Sequence, residues 1–294
     1  MSGPIALFGA GGQLGQEFLG LARLRGVDVA GFTRAEADIA DEDAVQRALG
    51  AARPRLVVNA AAWTAVDKAE SDPDGARRGN ATGPRTLARA AAAAAIPYVH
   101  FSTAYVFDGG KPTAWIESDP IAPLGVYGAS KAEGEALARE AAPMHVILRT
   151  SWVYGVHGAN FLKTMLRLAR ERDELRVVAD QRGCPTATLD LAEAILAVDR
   201  AITAGAVPWG VWHFAGTGAT TWHGFASEIV DAAAPFTGKR PDVTAITTAD
   251  FPTPARRPAN SELDSSRFAA AFGYRAAPWR ERAREAVRQL VTRA

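Results

Sequence analysis

A glycine-rich turn at the end of the first apolar segment constrains this chain more than any other feature. Ile5-Ala-Leu-Phe8 runs into Gly9-Ala-Gly-Gly-Gln-Leu-Gly15, and residues 13–24 then carry Leu14, Phe18, Leu21 and Leu24 at helical spacing. Glycines there let a strand turn tightly into a helix and let its backbone approach a pyrophosphate at the helix N-terminus. The same alternation continues. Residues 27–32, 56–59, 98–102 and 146–149 read as further strands. Between them Asp41 caps one helix, Pro84 opens another at its first turn, and Pro97 stops that one. Its alanine tract, Ala90 to Ala95, reads as strong helix former lying close to a sheet. Strands alternating with helices predict an α/β fold with a Rossmann doubly wound parallel sheet.

The rhythm loosens after Trp152. Helices are expected over residues 161–172, 189–202, 222–233 and 280–290, with strands at 177–178 and 211–214. The prolines of Phe251-Pro-Thr-Pro-Ala-Arg-Arg-Pro258 argue for an ordered extended loop. The division expected is a Rossmann domain of residues 1–152 plus 188–217, and a smaller C-terminal α/β substrate domain of 153–187 plus 218–294. A chain of 294 residues with a formal charge of +1 offers no electrostatic case for nucleic acid or an anionic membrane. No apolar stretch approaches a membrane span, and no basic segment of a signal peptide precedes the first strand. Cys184 is the single cysteine. It reads as an inert packed residue in a reducing cytoplasm.

Tyr127-Gly-Ala-Ser-Lys131 carries the chemistry. A tyrosine and a lysine four apart share one helical face, and a nearby ammonium would favour the phenolate. Downstream of a dinucleotide turn, this pair reads as a hydride-transfer site. Within the cofactor site Gly9, Gly12, Gln13, Leu14 and Gly15 form the turn. Arg34, in a segment with no acidic residue at the end of the second strand, suits a 2′-phosphate, favouring NADPH while leaving NADH usable. Asp38 and Ile39 are candidates to cover the adenine. Ala60, Ala61 and Ala62 are small where the ribose and nicotinamide must pass close to backbone. Asn80 either bonds backbone near the cofactor or caps a helix. No His/Cys/acid cluster has zinc-like spacing, and hydride transfer needs no catalytic metal.

Several longer motifs carry a resemblance: Val58-Asn-Ala-Ala-Ala-Trp-Thr-Ala-Val-Asp-Lys-Ala-Glu70, Ser102-Thr-Ala-Tyr-Val-Phe-Asp-Gly109, Arg149-Thr-Ser-Trp-Val-Tyr-Gly155 and Arg257-Pro-Ala-Asn-Ser-Glu-Leu-Asp264. With the glycine turn and the Tyr127–Lys131 segment, the chain resembles the extended short-chain dehydrogenase/reductase family, and within it the dTDP-4-dehydrorhamnose reductases. The resemblance covers nearly the whole chain. It implies a triad of Thr103, Tyr127 and Lys131 acting with NADPH on a dTDP-sugar. Tyr127 would donate the proton, Lys131 hold ribose hydroxyls and lower the tyrosine pKa, and Thr103 bind the carbonyl oxygen. It also implies substrate contacts from Ala104, Trp152, Asn160, Gln181 and Arg257, with Asn260 a further candidate. Arg257 is the preferred phosphate ligand among these, and Arg256 reads as a solvated charge.

Two departures bear on the substrate. Family members usually carry Asp where this chain has Ala104, and Asn where it has Gly125. The implied reaction is reduction of dTDP-4-dehydro-L-rhamnose at C4 to dTDP-L-rhamnose. Ala104 leaves open a 4-ketoreductase for another deoxysugar nucleotide, or a non-catalytic NADP-binding regulatory subunit. Family members can form homodimers, some with Mg2+ near the interface. Glu17, Glu193 and Glu285 are the counterparts here, and exposed helix glutamates are their plainer reading.

Overall fold

The computed structural model describes residues 3–292. Ile5–Phe8 (β1) is buried along its length and passes through the glycine turn into Gln13–Arg25 (α1); Val29–Phe32 (β2) then returns beside β1 in parallel. Glu42–Ala52 (α2) starts at Asp41, whose Oδ1 accepts the Ala44 amide at 3.0 Å, the expected cap. Leu56–Asn59 (β3) pairs with the other side of β1.

The next helical stretch has Pro84 in the first turn of its last helix, as expected, but a helical lead-in precedes it. Val66–Ser71 (α3) is followed by Pro73–Arg77 (α4), and Gly83–Ala93 (α5) continues from α4 through a π-helical turn, Arg78–Thr82. Pro84 therefore sits inside a continuing helix. It has no N–H to give the Asn80 carbonyl, and the wider turn absorbs the defect, the Gly83 amide reaching back to the Arg78 carbonyl. On α5, Ala88 and, within the alanine tract, Ala91 are fully buried against the sheet.

Tyr98–Thr103 (β4), Val126–Ala141 (α6) and His145–Thr150 (β5) complete the regular alternation. Then come Val153–Tyr154 (β6), Phe161–Glu171 (α7), Glu174–Val178 (β7), Arg182–Gly183 (β8) and Thr186–Ala187 (β9). Thr188–Thr203 (α8) and Gly210–His213 (β10) rejoin the main sheet. Thr220–Thr221 (β11), Trp222–Thr237 (α9), Asp242–Ile246 (β12), Asn260–Ser261 (β13), Ser266–Phe272 (α10) and Trp279–Thr292 (α11) finish the chain. The proline-rich residues 251–258 form no helix or strand.

The main sheet has six strands in the order β10-β5-β4-β3-β1-β2, all parallel. The order reverses between β1 and β3, so a crevice opens beyond their C-terminal ends, where such sheets bind ligands. One apolar cluster packs α1, α8 and α10 on one face through Phe18, Ile195 and Phe268. A second packs α2, α5 and α6 on the other through Val45, Leu87 and Ala138. A separate cluster joins α7, α9 and α11 to β7 through Leu162, Phe225, Val287 and Leu175.

α6 lies unusually close to the π-turn. A Cβ on Gly134 would come within 1.9 Å of the Asn80 carbonyl oxygen, the one that Pro84 leaves without a helical donor. Backbone cannot yield as a flexible side chain can. Gly134→Ala is therefore expected to destabilise the fold by about 1–3 kcal/mol, read as a lowered urea midpoint; an unchanged midpoint would mean that α6 can move away at no cost.

Candidate active site

The glycine turn is shaped by close contacts. Gly9 has φ +89°, and a Cβ on it would lie 2.6 Å from the Ala61 amide nitrogen; one on Gly15 would lie 2.3 Å from the Gly9 carbonyl oxygen. Gly12 occupies the N-cap of α1 and supplies no capping side chain, so the first-turn amides remain available to an anion. Leu14 is buried in the core, which leaves its backbone alone to face a ligand. Gln13 supports the loop before α7: its Oε1 accepts from Asn160 at 3.4 Å.

In front of the turn lies a cleft of about 530 Å³, lined by Gly9, Gly12, Arg34, Asp38, Ile39 and the Ala60–Ala62 segment. Those expected cofactor residues are thus brought together. Arg34 is 79% exposed, with Nε 3.5 Å from Asp38 Oδ2; Arg78 Nη1 reaches the same oxygen at 3.1 Å. Burial would raise the Asp38 pKa, but the Ala40 amide and the Arg78 and Arg34 guanidinium groups outweigh it and hold the carboxyl below its usual range. Arg78 went unrecognised in the sequence. In an ordinary helix it reads as a solvated charge, and only the π-turn delivers it to the cleft.

Two buried asparagines shape the floor. Asn59 Oδ1 accepts the Ala61 amide at 3.0 Å, while its Nδ2 meets Tyr98 Oη at 3.2 Å and His100 Nδ1 at 3.1 Å. Asn80 accepts the Trp63 amide at 2.9 Å and donates to the Trp63 carbonyl and to Ser130 Oγ, each at 3.1 Å. Of its two expected roles, Asn80 takes the backbone one.

Thr103 ends β4 and Tyr127 lies in the first turn of α6. Burial raises the Tyr127 pKa, and the neighbouring Thr103 hydroxyl opposes that rise without cancelling it. This corrects the expectation that Lys131 would leave the phenol below its ordinary value. The Lys131 ammonium turns instead to the Phe101 carbonyl, 2.6 Å from Nζ. Lys131 is 2% exposed, and burial brings its pKa down to about 8 against the opposing Glu135 carboxylate. Tyr105 meets Tyr127 edge-on with ring centroids 5.9 Å apart.

The substrate side differs more from expectation. Ala104 is fully buried in an apolar cluster with Phe107, Trp115 and Cys184, and lines no open surface. Trp152, with φ +47°, stacks on Trp222 at 3.6 Å, and a Cβ on Gly183 would fall 2.5 Å from its ring. One indole face is therefore already covered, and its Nε1 is buried without a partner. Asn160 caps α7 and holds the Gly155 carbonyl at 2.8 Å. Gln181 is buried between Thr248 and Trp222. Arg257 grips Asp67 with both terminal nitrogens, at 3.1 and 2.8 Å. Asn260 donates to the Lys111 and Thr113 carbonyls. For Asn160, Gln181, Arg257 and Asn260 the polar groups are engaged within the protein. Arg256, expected to be solvated, is exposed but lines a narrow gap with Tyr105, Gly125 and Tyr127.

Glu17 accepts from Thr188, Glu193 pairs with Arg25 and Glu285 with Arg282. Among the described residues no cluster of three His, Cys, Asp or Glu side chains could hold a metal ion. Burial pushes the Cys184 thiol up to about 11, which suits an inert packed residue. No described helix is long and apolar enough to cross a membrane.

The low pKa of Lys131 has a consequence for stability. Below about pH 8 this lysine is charged in folded and unfolded chains alike, and the fold bears the cost of burying it. Between about 8 and 10.5 the folded protein has released the proton while the unfolded chain still holds it. Stability relative to Lys131→Met should therefore rise by roughly 3 kcal/mol across that window in urea titrations. A difference that stays flat with pH would mean that the ammonium is solvated.

A family profile described as RmlD substrate binding domain matches residues 3–292. The dTDP-4-dehydrorhamnose reductase of Sinorhizobium fredii is 42% identical over 98% of this chain and 97% of that protein. The enzyme of the same description from Escherichia coli is 39% identical, covering 98% of each. A solved dTDP-4-dehydrorhamnose reductase from Bacillus anthracis, in complex with NADP, superposes with a TM-score of 0.90 at 33% identity, over 98% of this chain and 100% of that one.

Proposed function

Because this chain belongs to the dTDP-4-dehydrorhamnose reductase family and is on that account an oxidoreductase, we propose that it reduces the 4-keto group of dTDP-4-dehydro-L-rhamnose, with Tyr127 as proton donor. The observation that carries this reading is the cleft of glycines and alanines beyond β1 and β3, in a chain that matches the family profile over residues 3–292. A Cβ at Gly9 or Gly15 would collide with backbone, so the cradle has the form that a dinucleotide requires. NADPH, when bound, supplies the hydride. The amides of Gln13, Leu14 and Gly15 would meet its pyrophosphate, and Arg34 with Arg78 its 2′-phosphate.

The remaining work falls to this chain's side chains. Thr103 holds the ketone oxygen as charge builds on it. Tyr127 gives that oxygen its proton; a phenol whose pKa is raised by burial stays protonated at neutral pH, as a donor must. Lys131 is largely charged below about pH 8, supports the phenolate that results, and offers hydrogen bonds to ribose. Arg256 has no ion-pair partner among the described residues and borders Tyr127, so it is the guanidinium left for the diphosphate, with Arg257 as the strut beside it. We assign the cofactor to residues 1–152 with 188–217, and the sugar nucleotide to 153–187 with 218–294. A lone cysteine, Cys184, suits a reducing compartment such as the cytoplasm.

Tyr127→Phe is expected to remove turnover of dTDP-4-dehydro-L-rhamnose, followed by NADPH absorbance, while NADPH still binds with its original affinity. Substantial residual turnover would take the proton-donor role from Tyr127. Assayed alongside, other 4-keto sugar nucleotides test the substrate: faster turnover on one of them would shift the assignment to that sugar. Arg34→Ala and Arg78→Ala should each raise the Michaelis constant for NADPH about 10-fold or more while leaving that for NADH nearly unchanged. Equal effects on both cofactors would remove the 2′-phosphate from these arginines.

A further inference from the structure

α6 begins without a capping side chain of its own, because Gly125 stands at its N-cap. The missing acceptor comes from another element. Glu70, near the end of α3, brings Oε1 to the Val126 amide at 2.9 Å. A Cβ on Gly125 would lie 2.6 Å from that same oxygen. The Gly125 backbone is extended, with φ −148°, so its conformation makes no demand for glycine. The carboxylate fills the space that a side chain there would need.

The opposite attachment of α3 is equally specific. Asp67 precedes Glu70 by one helical turn and so shares its face. Its carboxylate accepts the Ala255 amide at 3.1 Å and holds both terminal nitrogens of Arg257. The gap between these two attachments is bordered by Val66, Tyr105, Tyr127 and Arg256. Deeper in α6 other contacts hold the helix: Ser130 to Asn80, Lys131 to Phe101 and Glu135 to Arg149. Its first turn, which carries Tyr127, relies on Glu70 for its cap.

We propose that α3 is a clasp in which Glu70 fixes the first turn of α6, and with it the Tyr127 phenol, against residues 255–257, making Glu70 a positioning residue for proton transfer. This rests on the reading of Tyr127 as proton donor. An acceptor at a helix N-terminus satisfies amides that otherwise have no partner, and a carboxylate there also complements the helix dipole. Without it the first turn frays and the phenol leaves its aligned position for part of the time, while the cofactor cleft, which Glu70 does not line, keeps its glycine and alanine lining.

The test compares the full-length protein with Glu70→Ala, Glu70→Gln and the double variant Glu70→Ala/Gly125→Asn. Three quantities are read: kcat and KM with dTDP-4-dehydro-L-rhamnose, amide hydrogen exchange at Val126, and the ring resonance of 13C-labelled Tyr127. Glu70→Ala should speed Val126 exchange by roughly 5- to 30-fold, shift or broaden the Tyr127 ring signal, and lower kcat with little change in the dissociation constant of NADPH. Glu70→Gln keeps an acceptor oxygen and should lose far less. Gly125→Asn, in the alanine background, supplies a capping oxygen from the N-cap itself and should restore both signals and kcat. Unaltered kcat in Glu70→Ala, a change in substrate KM alone, or a loss that Gly125→Asn does not repair would each overturn the positioning role. Should the wild-type protein turn over none of the sugars, the functional reading fails separately, and Val126 exchange with the Tyr127 resonance still decides whether the clasp holds the phenol.

Discussion

The buried pair of Glu135 and Arg149 ties α6, the helix of Tyr127 and Lys131, to the main sheet. Their side chains meet at 2.7 Å with 2–3% exposure, joining α6 to β5 beneath the ends of the sheet. Arg149 also lies over the Phe107 ring, 5.2 Å from its centroid, with His213 of β10 alongside. Removing one partner from such a pair leaves an uncompensated buried charge, which typically costs about 3–5 kcal/mol. The pair therefore leaves α6 little freedom to slide. It also sits one turn beyond Lys131, where the Glu135 carboxylate opposes the effect of burial on that ammonium.

Around this anchor the molecule arranges two unlike surfaces. At the glycine turn the fit is made by absent side chains: Gly9 and Gly15 stand where a Cβ would strike backbone. Two arginines reach the cleft, one from the end of β2 and one from the π-turn before α5. On the other side polar side chains are already paired within the protein. Asn160 caps a helix, Gln181 bridges Thr248 and Trp222, and Arg257 is held by Asp67. Arg256 and Tyr127 border a narrow gap with Tyr105 and Gly125. Trp152 stands at the join with a left-handed backbone angle and an unpartnered indole nitrogen. Such strain persists where surrounding contacts hold it, here the stack on Trp222 and the close approach of Gly183.

Much of the sheet was legible because its signals are local. The apolar runs of β1, β3 and β4 and the Asp41 cap lie within a few residues of what they specify. Pro84 stands in the first turn of α5 as expected, but the π-turn that joins this helix to α4 left no local signal. The short strands β8, β9, β11 and β13 gave no periodic signal, since two residues carry none.

From the sequence alone came the parallel doubly wound sheet, the glycine turn and the Tyr127–Lys131 pair, because each depends on residue type and spacing within one or two elements; Thr103 came from the family resemblance. Only the tertiary structure decided which charges remain free. That Arg257 is spent on Asp67 while Arg256 is open, that Arg78 reaches the cleft, and that Glu70 caps a helix 56 residues further along the chain are outcomes of long-range packing. A charged side chain's partner is set by what the fold brings within about 3 Å, and no local pattern records that distance.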